Sequence, residues 1–282
     1  MRKLFLLGMS VSAAMTLGSA AQAADLPVKA PPQPAPVVYN WTGCYWGPHV
    51  GWGWSRKTVN EDFRAFPVIP DAVAAPAPVV VHASGKINTS GALYGSQVGC
   101  NYQFASNWVI GVEGSFSGAD INGQNINPLD AVLIDGDRDN FNHVKIDWIA
   151  SVTGRLGFVL YNSPLFFNNT LVYVKGGGAW AHDRWNVSDT LFGQPFGERT
   201  QTRSGWTIGG GFEWAWSFAP GWTSFTEYAH YDFGTKSLIT ADDIRVAGIG
   251  DAIRFDVKQR LDVVKFGLNY RFNWSAPVAA RY

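Results

Sequence analysis

The chain has 282 residues, of which 31 are glycine, 15% are aromatic and only 16% are charged, with acids and bases in equal number. Such a balance offers no basic excess to attract nucleic acid. After the first residues there is no apolar run long enough for a membrane helix, so any membrane association has to use another device.

The N-terminus reads as an export signal over residues 1–23. Arg2 and Lys3 precede an apolar run from Leu4 to Leu17, and Ala21-Gln22-Ala23 forms a small-residue cleavage site. The run is too short for a transmembrane helix and no stop-transfer pattern follows it. Cleavage takes the bases from 22 to 20 against 22 acids, so the mature chain is formally −2. Residues 24–39 contain "DLPVKAPPQPAPVV", with five prolines and no helix or strand period. This stretch is expected to be an extended periplasmic linker.

The folded part begins with "WTGCYWGPHVGWGWS", residues 41–55. Successive side chains of a strand point to opposite faces. One face therefore carries Cys44, Trp46, Val50, Trp52 and Trp54, and the other carries Tyr45, Gly47, His49, Gly51 and Gly53. The same alternation recurs over 92–104, 108–118, 144–160, 170–182, 204–216, 222–232 and 258–272, giving eight strands. Each is near the length that crosses a bilayer at a tilt. Short connections fall at 105–107, 161–169 and 217–221, and long ones at 56–91, 119–143, 183–203 and 233–257. An even strand number, with short turns on one side and long loops on the other, predicts an all-β fold. The expected form is an eight-stranded antiparallel transmembrane β-barrel with short periplasmic turns and long extracellular loops, spanning residues 40–272. The tryptophan face meets lipid and the glycine face looks inward. A soluble barrel or sandwich would show water faces far richer in charge.

The segments "NWTGCYWGPHVGWGW", "KIDWIASVTGRLGFVL", "LVYVKGGGAW", "GWTIGGGFEWAW", "GWTSFTEYAHYDFG" and "VVKFGLNYRF" resemble the small outer-membrane β-barrel, porin-like family of alphaproteobacteria. The resemblance covers roughly residues 40–272. It implies a Gram-negative outer-membrane location, a monomer or loose oligomer with periplasmic termini, and contact with outer-membrane lipid and lipopolysaccharide. It also implies recognition of Tyr270 and Phe272 by the barrel-assembly machinery. Two features depart from the family pattern. The chain continues past Phe272 as a C-terminal extension over 273–282, and Cys44 and Cys100 stand where aromatic residues are expected.

By parity the interior holds Glu113, Lys145, Asp147, Arg155, Lys175, Glu213, Glu227, Lys265 and Arg271. In a barrel just wide enough for its own side chains, these charges are expected to pair with one another rather than line a pore. No catalytic, cofactor or metal set is expected. Asp135, Asp137 and Asp139 have calcium-loop spacing, but Asn140 and Ile146 stand where that loop needs Gly and Glu. His143 and His182 read as incidental, and His82 and Ser84 fall in a loop without a supporting acid.

Antiparallel register gives one further expectation. If Cys44 opposes Cys100, paired numbers sum to 144, which also sets Val50 against Tyr94, Trp52 against Ala92 and Trp54 against Ser90. Both cysteines then point outward near the periplasmic rim, in an oxidising compartment, and a cross-strand disulfide is predicted. Three functions compete: a plugged structural barrel of the envelope with surface exposure, a narrow porin for small solutes, and a barrel whose loops bind haem or a host ligand.

Overall fold

The computed structural model describes residues 39–65, 79–126, 140–161, 169–189, 195–240 and 253–272. The expected export signal, nearly all of the linker, the C-terminal extension and the trio Asp135, Asp137 and Asp139 lie outside the described residues. Eight strands follow in order: β1 (Gly43–Ala65), β2 (Val79–Phe104), β3 (Trp108–Ile126), β4 (Asn140–Leu160), β5 (Thr170–Asp189), β6 (Pro195–Ala215), β7 (Trp222–Thr240) and β8 (Ile253–Phe272). Each pairs antiparallel with its sequence neighbour, and β1 pairs with β8 to close the barrel. Closure leaves no free edge, which a strand in lipid requires because nothing there replaces a missing hydrogen bond.

The alternation sorts residues as lipid and interior demand. On β1, Trp46, Val50, Trp52 and Trp54 are 46–61% exposed, while Tyr45 is 0% and His49 is 3% exposed. Above Trp54 the outward residues of β1 change to Arg56, Thr58 and Asn60, and the apolar band ends. The strands do not end there. They run 19 to 26 residues, whereas about 10 suffice to cross a bilayer. The long connections expected at 56–91, 119–143, 183–203 and 233–257 are therefore in large part strand. The β1–β2 pairing continues without interruption to Ala65↔Val79. His82 and Ser84 accordingly stand exposed on β2 rather than in a loop.

Left-handed backbone marks two of the periplasmic turns. Ala105 (φ 46°) and Ser106 (φ 64°) both take left-handed backbone between β2 and β3, and Gly221 (φ 87°) does so before β7. Interior glycines serve close approach. A Cβ at Gly47 would overlap the carbonyl oxygen of Leu268, and one at Gly95 would overlap that of Phe116.

Bulges change which residues face inward. At β4 the register with β5 jumps between Ile146 and Trp148, leaving Asp147 as an extra residue, and β3 carries a matching irregularity between Gly118 and Ile121. An extra residue reverses the faces beyond it. Val144 and Ile146 therefore point inward above the bulge, as Ile149 and Ser151 do below it.

The interior is filled in layers. A periplasmic apolar group contains Trp41, Val109, Val159, Leu171 and Tyr173. A larger one higher up contains Leu93, Ile121, Ile146, Ile149, Tyr231, Phe233, Leu261 and Val263. A third, of Val59, Ile87, Val144 and Val257, lies toward the extracellular end. Polar side chains occupy the space between these groups.

Candidate functional site

The first polar layer is built from inward positions of all eight strands. Glu113 on β3 accepts from Lys175 Nζ at 2.6 Å and from the Tyr45 hydroxyl at 2.6 Å. Lys175 also contacts Glu227 at 2.6 Å, and Lys265 reaches the other oxygen of Glu227 at 3.0 Å. Tyr173 donates to Glu227 at 3.0 Å. Arg155 donates to Glu213 at 2.6 Å and to the Tyr45 oxygen at 3.1 Å, and its guanidinium lies 3.5 Å from the centre of the Tyr173 ring.

Glu213 accepts further bonds from Thr223 at 2.5 Å and Asn269 at 3.0 Å, and Arg271 lies 3.7 Å away. Arg271 in turn donates to the carbonyl of Trp41 at 2.5 Å. His49 bridges Gln97 and Ser117 at 2.5 and 2.7 Å, and Gln97 donates to Asn269 at 2.6 Å. The three carboxylates and four cations of this layer are all at most 6% exposed. Every carboxylate is shared between at least two donors, which is what burial of charge requires.

Seven of the nine interior charges expected from sequence thus meet in one connected layer. Lys145 and Asp147 do not. The bulge turns Lys145 outward, where it pairs with Asp120 at 2.8 Å, and Asp147 pairs with Arg184 at 3.2 Å. The hydrogen bond from Lys145 holds the Asp120 carboxyl below its ordinary range. Ile146, expected on the lipid face, fills the interior position instead.

A second charged group was not foreseen. Asp183 on β5 contacts Lys57 on β1 at 3.2 Å and Arg203 on β6 at 2.9 Å, and all three side chains are 0% exposed. Gln259 donates to Asp183 at 3.2 Å, and Arg203 donates to the carbonyl of Val257 at 3.0 Å. Lys57, Asp183 and Arg203 fell in segments read as loops. The usable signal was continued parity: Tyr45, His49, Ser55, Lys57 and Val59 all keep the inward odd numbers.

Cys44 and Cys100 face each other in register and are joined by a disulfide. The pairs Val50↔Tyr94, Trp52↔Ala92 and Trp54↔Ser90 obey the same sum of 144. Tyr270 and Phe272 close β8 on the outward face with ring centres 5.2 Å apart, and Trp222 lies 5.3 Å from Tyr270. His182 stacks on Trp148 at 5.7 Å and bonds Thr202 at 3.2 Å, whereas His143 is paired across the ladder with Asn186. Among the described residues no group of three or more His, Cys, Asp or Glu is placed to hold a metal ion.

Residues 10–272 match the model of the outer membrane protein beta-barrel domain family. The 31 kDa outer-membrane immunogenic protein of Brucella melitensis is 27% identical over 266 residues, covering 93% of this chain and 97% of that protein. An uncharacterized protein of Coxiella burnetii is 27% identical over 196 residues, covering 67% of this chain and 72% of its own. Among solved structures, the outer membrane protein OprG from Pseudomonas aeruginosa aligns at 12% identity with a TM-score of 0.43, covering 83% of this chain and 98% of that one. Ail, the attachment invasion locus protein of Yersinia pestis, aligns at 14% identity with a TM-score of 0.35, covering 82% and 99%.

Proposed function

The chain belongs to the outer-membrane β-barrel family, and from that premise we propose that it is a plugged structural barrel of the cell envelope, neither a solute channel nor an enzyme. One observation carries the reading. The layer of Glu113, Glu213 and Glu227 with Arg155, Lys175, Lys265 and Arg271 joins strands on opposite sides of the lumen, with side chains at most 6% exposed. A pore lining has to leave charges to water, and these are given to each other. Apolar groups above and below the layer add two further obstructions.

The surface role is supported by strand length. Walls of 19 to 26 residues carry the barrel beyond the lipid band on the extracellular side, and the similar Brucella protein is described as immunogenic. Recognition by the barrel-assembly machinery is supported by the outward Tyr270 and Phe272 at the end of the last strand.

Planar-bilayer recording of the refolded full chain tests the reading. Bilayers holding the protein should show only the conductance of protein-free controls. Reproducible unitary steps would overturn the plugged barrel and restore the narrow porin.

A further inference from the structure

The charges of the upper lumen do not balance. Asp183 is the shared anion of Lys57 and Arg203, at 3.2 and 2.9 Å, and none of the three side chains reaches water. Among the described residues no second carboxylate comes within ion-pair reach of either cation. Two positive charges therefore meet one negative charge in the interior. An excess charge is costly in such a place unless a counterion joins it.

Hydrogen-bond donors are left over at the same spot. The Lys57 ammonium has three N–H donors and touches a single carboxylate. Arg203 spends Nη1 on the carbonyl of Val257, while its Nη2 has no partner among the described residues. The next inward position after Asp183 on β5 is Trp185, whose indole Nε1–H is buried and likewise unpaired. Lys57 Nζ lies 5.1 Å from the centre of that ring. Two acceptors are also unpaired, the Oε1 of Gln201, opposite Asp183 across the β5–β6 ladder, and the Oε1 of Gln259 on β8. Val59, Ile87, Val144 and Val257 form the neighbouring apolar group toward the extracellular end, and Trp185 packs against them.

We propose that the upper lumen binds a halide-sized monovalent anion, chloride in ordinary buffers, between Lys57 Nζ, Arg203 Nη2 and Trp185 Nε1. Water alone satisfies leftover donors but leaves the excess charge in place, whereas an anion answers both. A single negative charge matches the single excess positive one. The enclosed position, where Lys57, Asp183, Arg203 and Gln259 are all 0% exposed, selects a small ion. The oxygens of Gln201 and Gln259 repel an anion and accept instead from a water held beside it. The ion is taken up as the barrel closes, so it adds to folding stability by mass action.

Two measurements test the proposal. Urea midpoints of the refolded full chain in zwitterionic micelles at pH 7 are compared in sodium chloride and in sodium gluconate at equal ionic strength, gluconate being too large for an enclosed site. Replacing gluconate with about 100 mM chloride should lower the unfolding equilibrium constant of the wild type about tenfold and saturate, and it should leave that of Lys57→Met unchanged. Wild-type protein refolded and crystallised in sodium bromide should show an anomalous-scattering peak beside Arg203 Nη2 and Trp185 Nε1. This second arm decides even if the variant fails to fold. A chloride response absent from the wild type, or equal in the wild type and Lys57→Met, overturns the proposal. So do crystals with no bromide at the site, which would assign the leftover donors to internal water.

Discussion

Asp183 holds two cations, Lys57 and Arg203, where none of the three side chains reaches water. Lys57 sits level with the outward Arg56 and Thr58, beyond the apolar band, so this triad lies outside the membrane-spanning segment. Burial, reinforced by Arg203 and opposed by Asp183, pulls the Lys57 ammonium down to about 8. Removing the anion strands both cations, and breaking a buried pair that way costs about 3–5 kcal/mol. Removing Lys57 leaves Asp183 and Arg203 as a neutral pair. Asp183→Asn should therefore be strongly destabilising and Lys57→Met should not.

The pH dependence has a definite sign. Below pH 8 both folded and unfolded chains carry the Lys57 proton, and the folded state bears the full cost of the buried charge. Between pH 8 and the ordinary value of 10.5, the folded chain has released a proton that the unfolded chain retains. Stability therefore rises with pH across that window. Urea midpoints in micelles at pH 7.5 and 10 should show a rise on the order of 1–3 kcal/mol in the wild type. Lys57→Met shares every other titrating group and should lack this rise. An equal rise in both proteins would remove Lys57 as its source.

At the scale of elements, β4 shows what period-two reading gains and loses. The strand was legible because Val152, Leu156 and Phe158 alternate with Thr153 and Arg155, an apolar face against a polar one. Its upper part was misread because parity cannot detect an inserted residue. "VKIDWIAS" keeps a plausible alternation in either frame, and only pairing with β3 and β5 reveals Asp147 as the extra position. The extracellular halves of the strands were lost for a different reason. Beyond the lipid band the outward residues become Arg56, Thr58 and Asn60, the apolar contrast disappears, and strand looks like loop. The cysteine register survived because it rests on numbering within one uninterrupted hairpin.

The bulge yields a prediction that separates spacing from side chain. Deleting Asp147 removes the extra residue and leaves Ile146 and Val144 inward and Lys145 outward, in a ladder with β5 that runs on without a break. Asp147→Ala keeps the bulge, loses only the partly exposed pair with Arg184, and should cost under about 1 kcal/mol. Both variants should therefore yield a folded barrel. Folded yield on refolding into detergent, read by gel mobility without boiling, compares them. A deletion that fails to fold while Asp147→Ala folds would show that the bulge itself, and not only the parity beyond it, is required.

At the scale of the whole molecule, closure and filling reinforce one another. Each strand is paired on both sides, so no strand can peel away without breaking two ladders. Within the ring, the layer around Glu113, Glu213 and Glu227 ties β3, β6 and β7 to Arg155, Lys175 and Lys265 on β4, β5 and β8. Opening the wall would expose these charges to detergent tails or leave them unpaired, so unfolding has to be concerted. SDS at room temperature supplies micelles that resemble lipid to the outer face and gives little access to the backbone bonds, whereas heat breaks the ring. Unboiled and boiled samples should therefore migrate as two distinct species in SDS gels. Glu227→Gln, which takes the shared anion from Lys175 and Lys265, should lower the temperature at which the first converts to the second. A single mobility at all temperatures, together with solubility in plain buffer, would refute a ring closed in lipid. A Glu227→Gln variant that converts at the wild-type temperature would show that the charged layer fills the lumen without holding it shut.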